Sequence, residues 1–478
     1  MSRKKGSMLA TAANSVFEKP FELPLLFEPF VKQVPCAVMA RLILQWLMDE
    51  AMLQDLFDEV ALTQYHREFA LSHLVGVMLD VACGTHPSAR QAFLARQEEM
   101  PASLTAFYEK LKRIEPGVVQ ELVERTARRC RDVIVKMKGT QAEPIPGFTT
   151  KVLDGNSLAG TEHRIEELRN NRAAALPGRS LAVYECRTGL IDQLILWEDG
   201  HTQERAILRH LELQPGLHLL ADRNFCVAWF MDAIENAESH FTIRQHRGCF
   251  SLETAGTLSA GRSRGRCKSG HLEECELTRV DLETGKQRTW RVIRLKLDTP
   301  TREGETEVVL ISNLPASVSA ASIAMSYLAR WRIEGHFQRL TEYLNCEVPS
   351  LGYPRAALFA FAMSVLAGNA VAMLESAIRA VHGNDAADML SWFGVAHEIS
   401  AAYRGMMVAI PPKKWKIIQG RTPEEMARVL RHIASHANLV RLRKTIRGPK
   451  KPRRTPNCGK TRHVSTYRVL NKSRKNRC

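Results

Sequence analysis

The chain of 478 residues has no CxxC pair, and its 11 cysteines are scattered and odd in number. A disulfide framework is therefore not expected, and the reading is a reducing, cytosolic compartment. The basic start "MSRKKGSMLATAANSVFEKPFELP" lacks a sustained apolar run behind it, so no secretory signal is expected. Internal repeats are missing, and so is a helix-turn-helix signature. Acid is scarcest at one end: from Arg441 to Cys478 there are 15 Lys or Arg and no Asp or Glu. Since the whole chain carries +16, residues 1–440 keep only +1. The excess charge is thus a tail, suited to a polyanion or, more blandly, to a solubilising end.

Long apolar runs are also few. "AALFAFAMSVLAGNAVAML", Ala356 to Leu374, is the one stretch nearly long enough to cross a bilayer. It is Ala-rich, stands alone and contains Ser364, Gly368 and Asn369, so it is read as a buried core helix rather than a membrane span.

What is present falls into five parts. Residues 1–140 are periodic in the manner of helices joined by short turns. At "QAEPIPG" the prolines Pro144 and Pro146 break this pattern, and 141–248 alternates strands with helices. "FTTKVLDGNSL" is a strand running into Asp154, "LAVYECRTGLIDQLILWEDG" two strands turning at Thr188 and Gly189, and "LHLLADRNF" a buried strand ending at Asp222. The expected class is α/β, a mixed sheet flanked by helices. Residues 249–314 form a β-rich insertion with a hairpin turn at Gly285, 315–440 are helical again, and 441–478 are the basic tail.

"SYLARWRIEGHFQRLTEYL", Ser326 to Leu344, places one acid, Glu334, among cations and aromatics. Read as a single helix, it aligns Tyr327, Arg330 and Trp331, Glu334, Gln338 and Thr341 on one face. That is either a surface salt-bridge helix or a metal-binding carboxylate beside groups that hold phosphates. Asp154 and Asp222 are expected at or near strand ends, where α/β sheets commonly build sites. Three carboxylates from a mixed sheet and a following helix suit Mg²⁺ or Mn²⁺, and two such ions would serve phosphoryl transfer on nucleic acid.

"VLDGNSLAGTEHRIEELR", "LPGRSLAVYE", "LLADRNF" and "YLARWRIEGHF", in that order and with a β-rich insertion before the last, resemble a bacterial DDE transposase of the insertion-sequence-4 group. The resemblance covers residues 145 to about 375 and implies an RNase H-like catalytic core whose acids map onto Asp154, Asp222 and Glu334. The family signature Tyr-x2-Arg-x3-Glu-x6-Lys is met by Tyr327, Arg330 and Glu334, but Thr341 stands at the lysine position. The resemblance implies that Tyr327 and Arg330 hold DNA-end phosphates, and Arg339 is the candidate substitute for the missing lysine. It further implies a nucleoid-associated enzyme that binds terminal inverted repeats of double-stranded DNA, cleaves there and joins the 3′-hydroxyls to target DNA, acting as a homodimer. The N-terminal helices would recognise the repeat. A catalytically decayed DNA-binding derivative and another RNase H-like nuclease are the alternatives.

Two weaker patterns complete the reading. Trp290 is a candidate base-stacking surface, or else a core tryptophan. Cys267, His271 and Cys275, with His246 and Cys249 upstream, are either a zinc site or free thiols in a β-rich region.

Overall fold

The computed structural model describes residues 21–63, 69–170, 174–281, 284–301 and 304–445, apart from the side chain of Arg404. Contacts divide the chain into Met1–Arg443 and Lys444–Cys478, and the architecture below is that of the first unit. Beyond Thr445 the expected basic tail lies outside the described residues.

The fold is mixed α/β, with helices flanking one open sheet of ten strands. β1 (Thr149–Ser157), β2 (Arg179–Glu185) and β3 (Ile191–Trp197) form an antiparallel meander. Gly189, at φ +76°, makes the tight turn between β2 and β3. The chain then returns to place β4 (Leu217–Ala221) parallel to β1, and β5 (His240–Arg244) parallel to β4. Parallel pairs need a crossover, and the helix Ala228–Asn236 supplies it between β4 and β5.

The β-rich segment is not a separate sheet. It contains β6 (Thr257–Leu258), β7 (Arg262–Cys267), β8 (Gly270–Val280), β9 (Gln287–Leu297) and β10 (Glu307–Ser312). Because β10 pairs antiparallel with β5, these strands extend the same sheet in the order β3-β2-β1-β4-β5-β10-β9-β8-β6, with β7 on β8. Gly285, at φ +69°, turns β8 into β9.

The N-terminal helices do not stand apart either. Pro35–Leu47, Leu71–Ala82 and Pro116–Met137 pack with Pro354–His382 and Pro423–Ala434 in one core shared with β1 to β4. The periodic run Ala37–Val60 is two helices, because Asp49 caps the second by accepting a hydrogen bond from Met52 N at 3.0 Å.

Pro354–His382 is the one helix among the described residues long and apolar enough to cross a membrane, yet its most apolar window is 94% buried inside the protein. Its buried Asn369 is satisfied by the sheet: it accepts from Ile191 N at 2.9 Å and donates to Ile191 O at 2.8 Å. The asparagine thereby closes both backbone groups of the first residue of β3 and fixes the helix across the sheet.

Candidate active site

Strand register brings the first two acids together. Leu153 of β1 is paired with Ala221 of β4, so Asp222 follows at the end of β4 while Asp154, expected at a strand end, lies beside it inside β1, which runs on to Ser157 against β2. Val152 and Leu220 point into the helical core, while Leu153 and Ala221 face the opposite one. By strand alternation Asp154 therefore shares the helical face with Val152. Asp222 leaves the sheet, and its carboxylate accepts from Asn224 N at 2.7 Å to start the 3₁₀ turn Arg223–Phe225.

The third acid comes from a helix laid on that face. Trp331–Tyr343 buries Ile333, His336 and Leu340 and leaves Glu334 half-buried. Its close seat depends on Gly368: a Cβ there would lie 2.7 Å from Leu340 Cδ2 and 3.0 Å from His336 Nε2. The single helix expected over Ser326–Leu344 is in fact Ala320–Tyr327, a 3₁₀ turn Leu328–Arg330, and then Trp331–Tyr343. This tightening alters the α-helical spacing and carries Arg330 inward rather than along an exposed face. Tyr327 packs in a third apolar cluster with Leu310 and Ile323.

Arg330 is the centre of the local electrostatics. Its Nη1 lies 2.5 Å from Glu334 Oε1, and its guanidinium sits 4.9 Å from the Trp331 ring and 5.8 Å from that of Tyr327. Its buried Nε has no hydrogen-bond partner among the described residues. Asp154 titrates near 7 instead of 3.8, chiefly because burial disfavours its charge and secondly because Asp222 repels it. Arg330 and the Gly155 N–H, 3.0 Å from Asp154 Oδ1, oppose that rise, while Glu334 adds to it. Asp154, Asp222, Glu334 and Arg330 thus form one electrostatic neighbourhood.

Among the described residues no group of three or more His, Cys, Asp or Glu side chains is drawn together closely enough to hold a metal ion. The donor set nevertheless fits a hard divalent cation: it offers carboxylate oxygens alone, and Asp222 and Glu334 both add to the rise that burial chiefly causes at Asp154. Glu334 would have to exchange Arg330 for the ion.

The structure adds residues that the sequence did not single out. The carboxyl of Glu204 packs where a Cβ on Gly155 would be only 2.6 Å away, and Arg179 approaches it at 3.6 Å. Burial raises its pKa, Arg179 opposes this, and Asp222 adds to it. Arg244 and Arg223 meet on Glu305, at 2.5 and 3.6 Å. A small residue directly after the first acid is the only sequence signal that pointed toward Glu204.

Other expected residues fall elsewhere. Arg339 stacks over Trp392 at 4.6 Å and lies 3.9 Å from Glu375, so its charge is engaged at the long helix. Thr341 donates its hydroxyl to Phe337 O at 3.1 Å. Trp290 is fully buried, its indole N–H donating to Glu235 at 2.7 Å and its ring edge-on to Phe241 at 5.3 Å. Alternation along β9 turns it into the cluster with Phe230 and Ile234, leaving no face for a base; the stacking role is corrected to a core one. Cys267, His271 and Cys275 gather no metal-binding group among the described residues; His271 Nε2 is 2.6 Å from Arg266, and Cys275 is buried.

No protein-family model matches the chain, and no curated protein matches it either. The functional reading therefore stands on the geometry of the site.

Proposed function

We propose that the chain is a DNA transposase with an RNase H-like core, acting in the bacterial cytoplasm on double-stranded DNA as a homodimer. The observation that supports the reading is that Asp222, Arg330 and Glu334, from segments remote in sequence, all act on the charge of Asp154, with Asp154 and Asp222 on adjacent strands and Arg330 paired with Glu334. The order β3-β2-β1-β4-β5, with β1, β4 and β5 parallel and β2 antiparallel, supports the RNase H-like assignment.

In this reading the three acids would hold Mg²⁺ or Mn²⁺, which when bound would activate the attacking oxygen and stabilise the leaving one. The chain's own residues position the DNA. Arg330 takes a phosphate of the DNA end with the guanidinium that now pairs with Glu334, and the aromatic rings of Tyr327 and Trp331 hold its plane. Engaging that phosphate draws Arg330 off Glu334 and frees the carboxylate. Positioning and electrostatic stabilisation are the main protein contributions to phosphoryl transfer, and this arrangement supplies both.

One observation favours the binding-only derivative: the signature lysine is Thr341, and Arg339 is committed to Glu375 and Trp392. The test is cleavage of labelled duplex carrying the inverted repeats that flank the coding region, with Mg²⁺, Mn²⁺ or EDTA, by this protein and its Glu334→Ala variant. Metal-dependent nicking at the repeat boundary that the variant lacks is the expected result. Equal cleavage by the variant refutes the assignment, and specific binding without cleavage favours the derivative.

A further inference from the structure

The helices Pro35–Leu47, Leu71–Ala82, Pro354–His382 and Trp392–Ala409 line a cavity of about 610 Å³, partly open to solvent, that none of the three acids lines. Its walls are largely apolar, among them Leu44, Met48, Leu79, Val371 and Ile399. Into this lining comes Arg41, only 9% exposed, which makes no hydrogen bond or ion pair with any described residue. Its Nε is buried and without a partner.

The neighbours of Arg41 do not neutralise it. Asp80 stands in its field, but that carboxylate is engaged by Arg96 at 2.6 Å. Burial keeps the Cys83 thiol protonated, pushed up to about 12, and raises the Tyr403 hydroxyl as well, so neither contributes an anion near neutrality. The guanidinium's other contact is the Trp415 ring, 5.7 Å away. A buried, unpaired cation is costly, and a ligand carboxylate matching the guanidinium fork would relieve it. The cavity's size and the buried, unpartnered Nε of Arg41 on its wall are those of a small-molecule site. A phosphate dianion is a poor match, since Arg96, the other arginine of the lining among the described residues, is already paired.

We propose that this cavity binds an amphipathic monocarboxylate of the fatty-acid type, its carboxylate on Arg41 and its chain along the apolar wall. The site is independent of the nuclease reading, although Glu342, Tyr343 and Leu344, at the end of the helix that carries Glu334, form part of its lining.

The test is calorimetric titration of full-length, delipidated protein with decanoate and with 1-decanol. Wild type is expected to bind decanoate saturably at one site, and Arg41→Met to weaken it about tenfold or more while leaving decanol binding unchanged. Leu44→Trp, which fills the cavity and keeps Arg41, is expected to abolish both and serves if Arg41→Met does not fold. The proposal is overturned if wild type shows no saturable decanoate binding, if decanol binds as tightly as decanoate, or if the variants leave decanoate affinity unchanged.

Discussion

Replacing Asp154 by asparagine should stabilise the protein, and by an amount that grows with pH. The change is isosteric and keeps an oxygen to accept the Gly155 N–H, so packing is preserved and the lost charge dominates. In the folded protein the carboxyl titrates near 7, against 3.8 for the ordinary group. The folded state therefore holds its proton more tightly than the unfolded chain, and stability falls as pH rises from about 4 through 7. Linkage between those two values puts the penalty at about 1.5 kcal/mol at pH 5, rising to about 4 kcal/mol above pH 8 as an upper limit. Urea unfolding of wild type and Asp154→Asn at pH 5 and 8.5, with EDTA present, should show the variant's advantage growing by about 2.5 kcal/mol between the two. Adding Mn²⁺ should then raise the midpoint of wild type and not that of the variant. A pH-independent difference, or a variant less stable at pH 8.5, would refute the account of a carboxyl whose charge is disfavoured chiefly by burial.

Four further changes test other parts of the structure. Arg330→Ala should bind Mn²⁺ several-fold more tightly than wild type in the absence of DNA, because it removes both a competitor for Glu334 and a repelling charge; unchanged or weaker binding by electron paramagnetic resonance would count against the exchange. Gly368→Ala should cost about 1–3 kcal/mol in urea unfolding through overpacking against Leu340 and His336, and reduce cleavage by shifting the helix that carries Glu334. Asn369→Ala leaves both backbone groups of Ile191 buried and unpaired, a loss of about 2–4 kcal/mol that an unchanged midpoint would disprove. Trp290→Phe should lower stability by removing the bond to Glu235 while DNA affinity stays at the wild-type value, whereas a base-stacking role would show in the affinity.

How far the sequence led depended on whether a residue's role was local or tertiary. β1 and β4 were legible from their apolar runs, and the end of β4 at Asp222 from its own residues, whereas β1 continues past Asp154–Gly155 to Ser157 because β2 pairs with it there. The core character of Pro354–His382 was legible too, since a lone Ala-rich run holding Asn369 suits packing against protein better than lipid. The break at Leu328–Arg330 was not, because nothing in local propensity marks a 3₁₀ turn that tertiary packing of Tyr327 and Arg330 imposes. Trp290 could not be assigned from alternation alone: which face of β9 is covered depends on the distant helix Ala228–Asn236. Glu204 and Arg41 were invisible for the same reason, since each acquires its meaning from a neighbour brought in by the fold, Gly155 for one and an apolar cavity for the other.

The site itself joins these two kinds of information through one ion pair. Asp154 is buried beside Asp222 and pays for it with a raised pKa, so the pocket wants a cation before any substrate arrives. Arg330 meets that need only in part: its Nη1 goes to Glu334 while its Nε is left without a partner. In the proposed reading a DNA phosphate competes with Glu334 for this guanidinium. If the phosphate takes Arg330, Glu334 and Asp154 lose a counter-charge together, and the carboxylates gain affinity for a divalent ion at the moment the scissile strand is in place. By linkage the converse must hold as well: bound Mn²⁺ should tighten DNA-end binding by the same factor that DNA tightens Mn²⁺, and Arg330→Ala should abolish this coupling even where it improves metal binding alone.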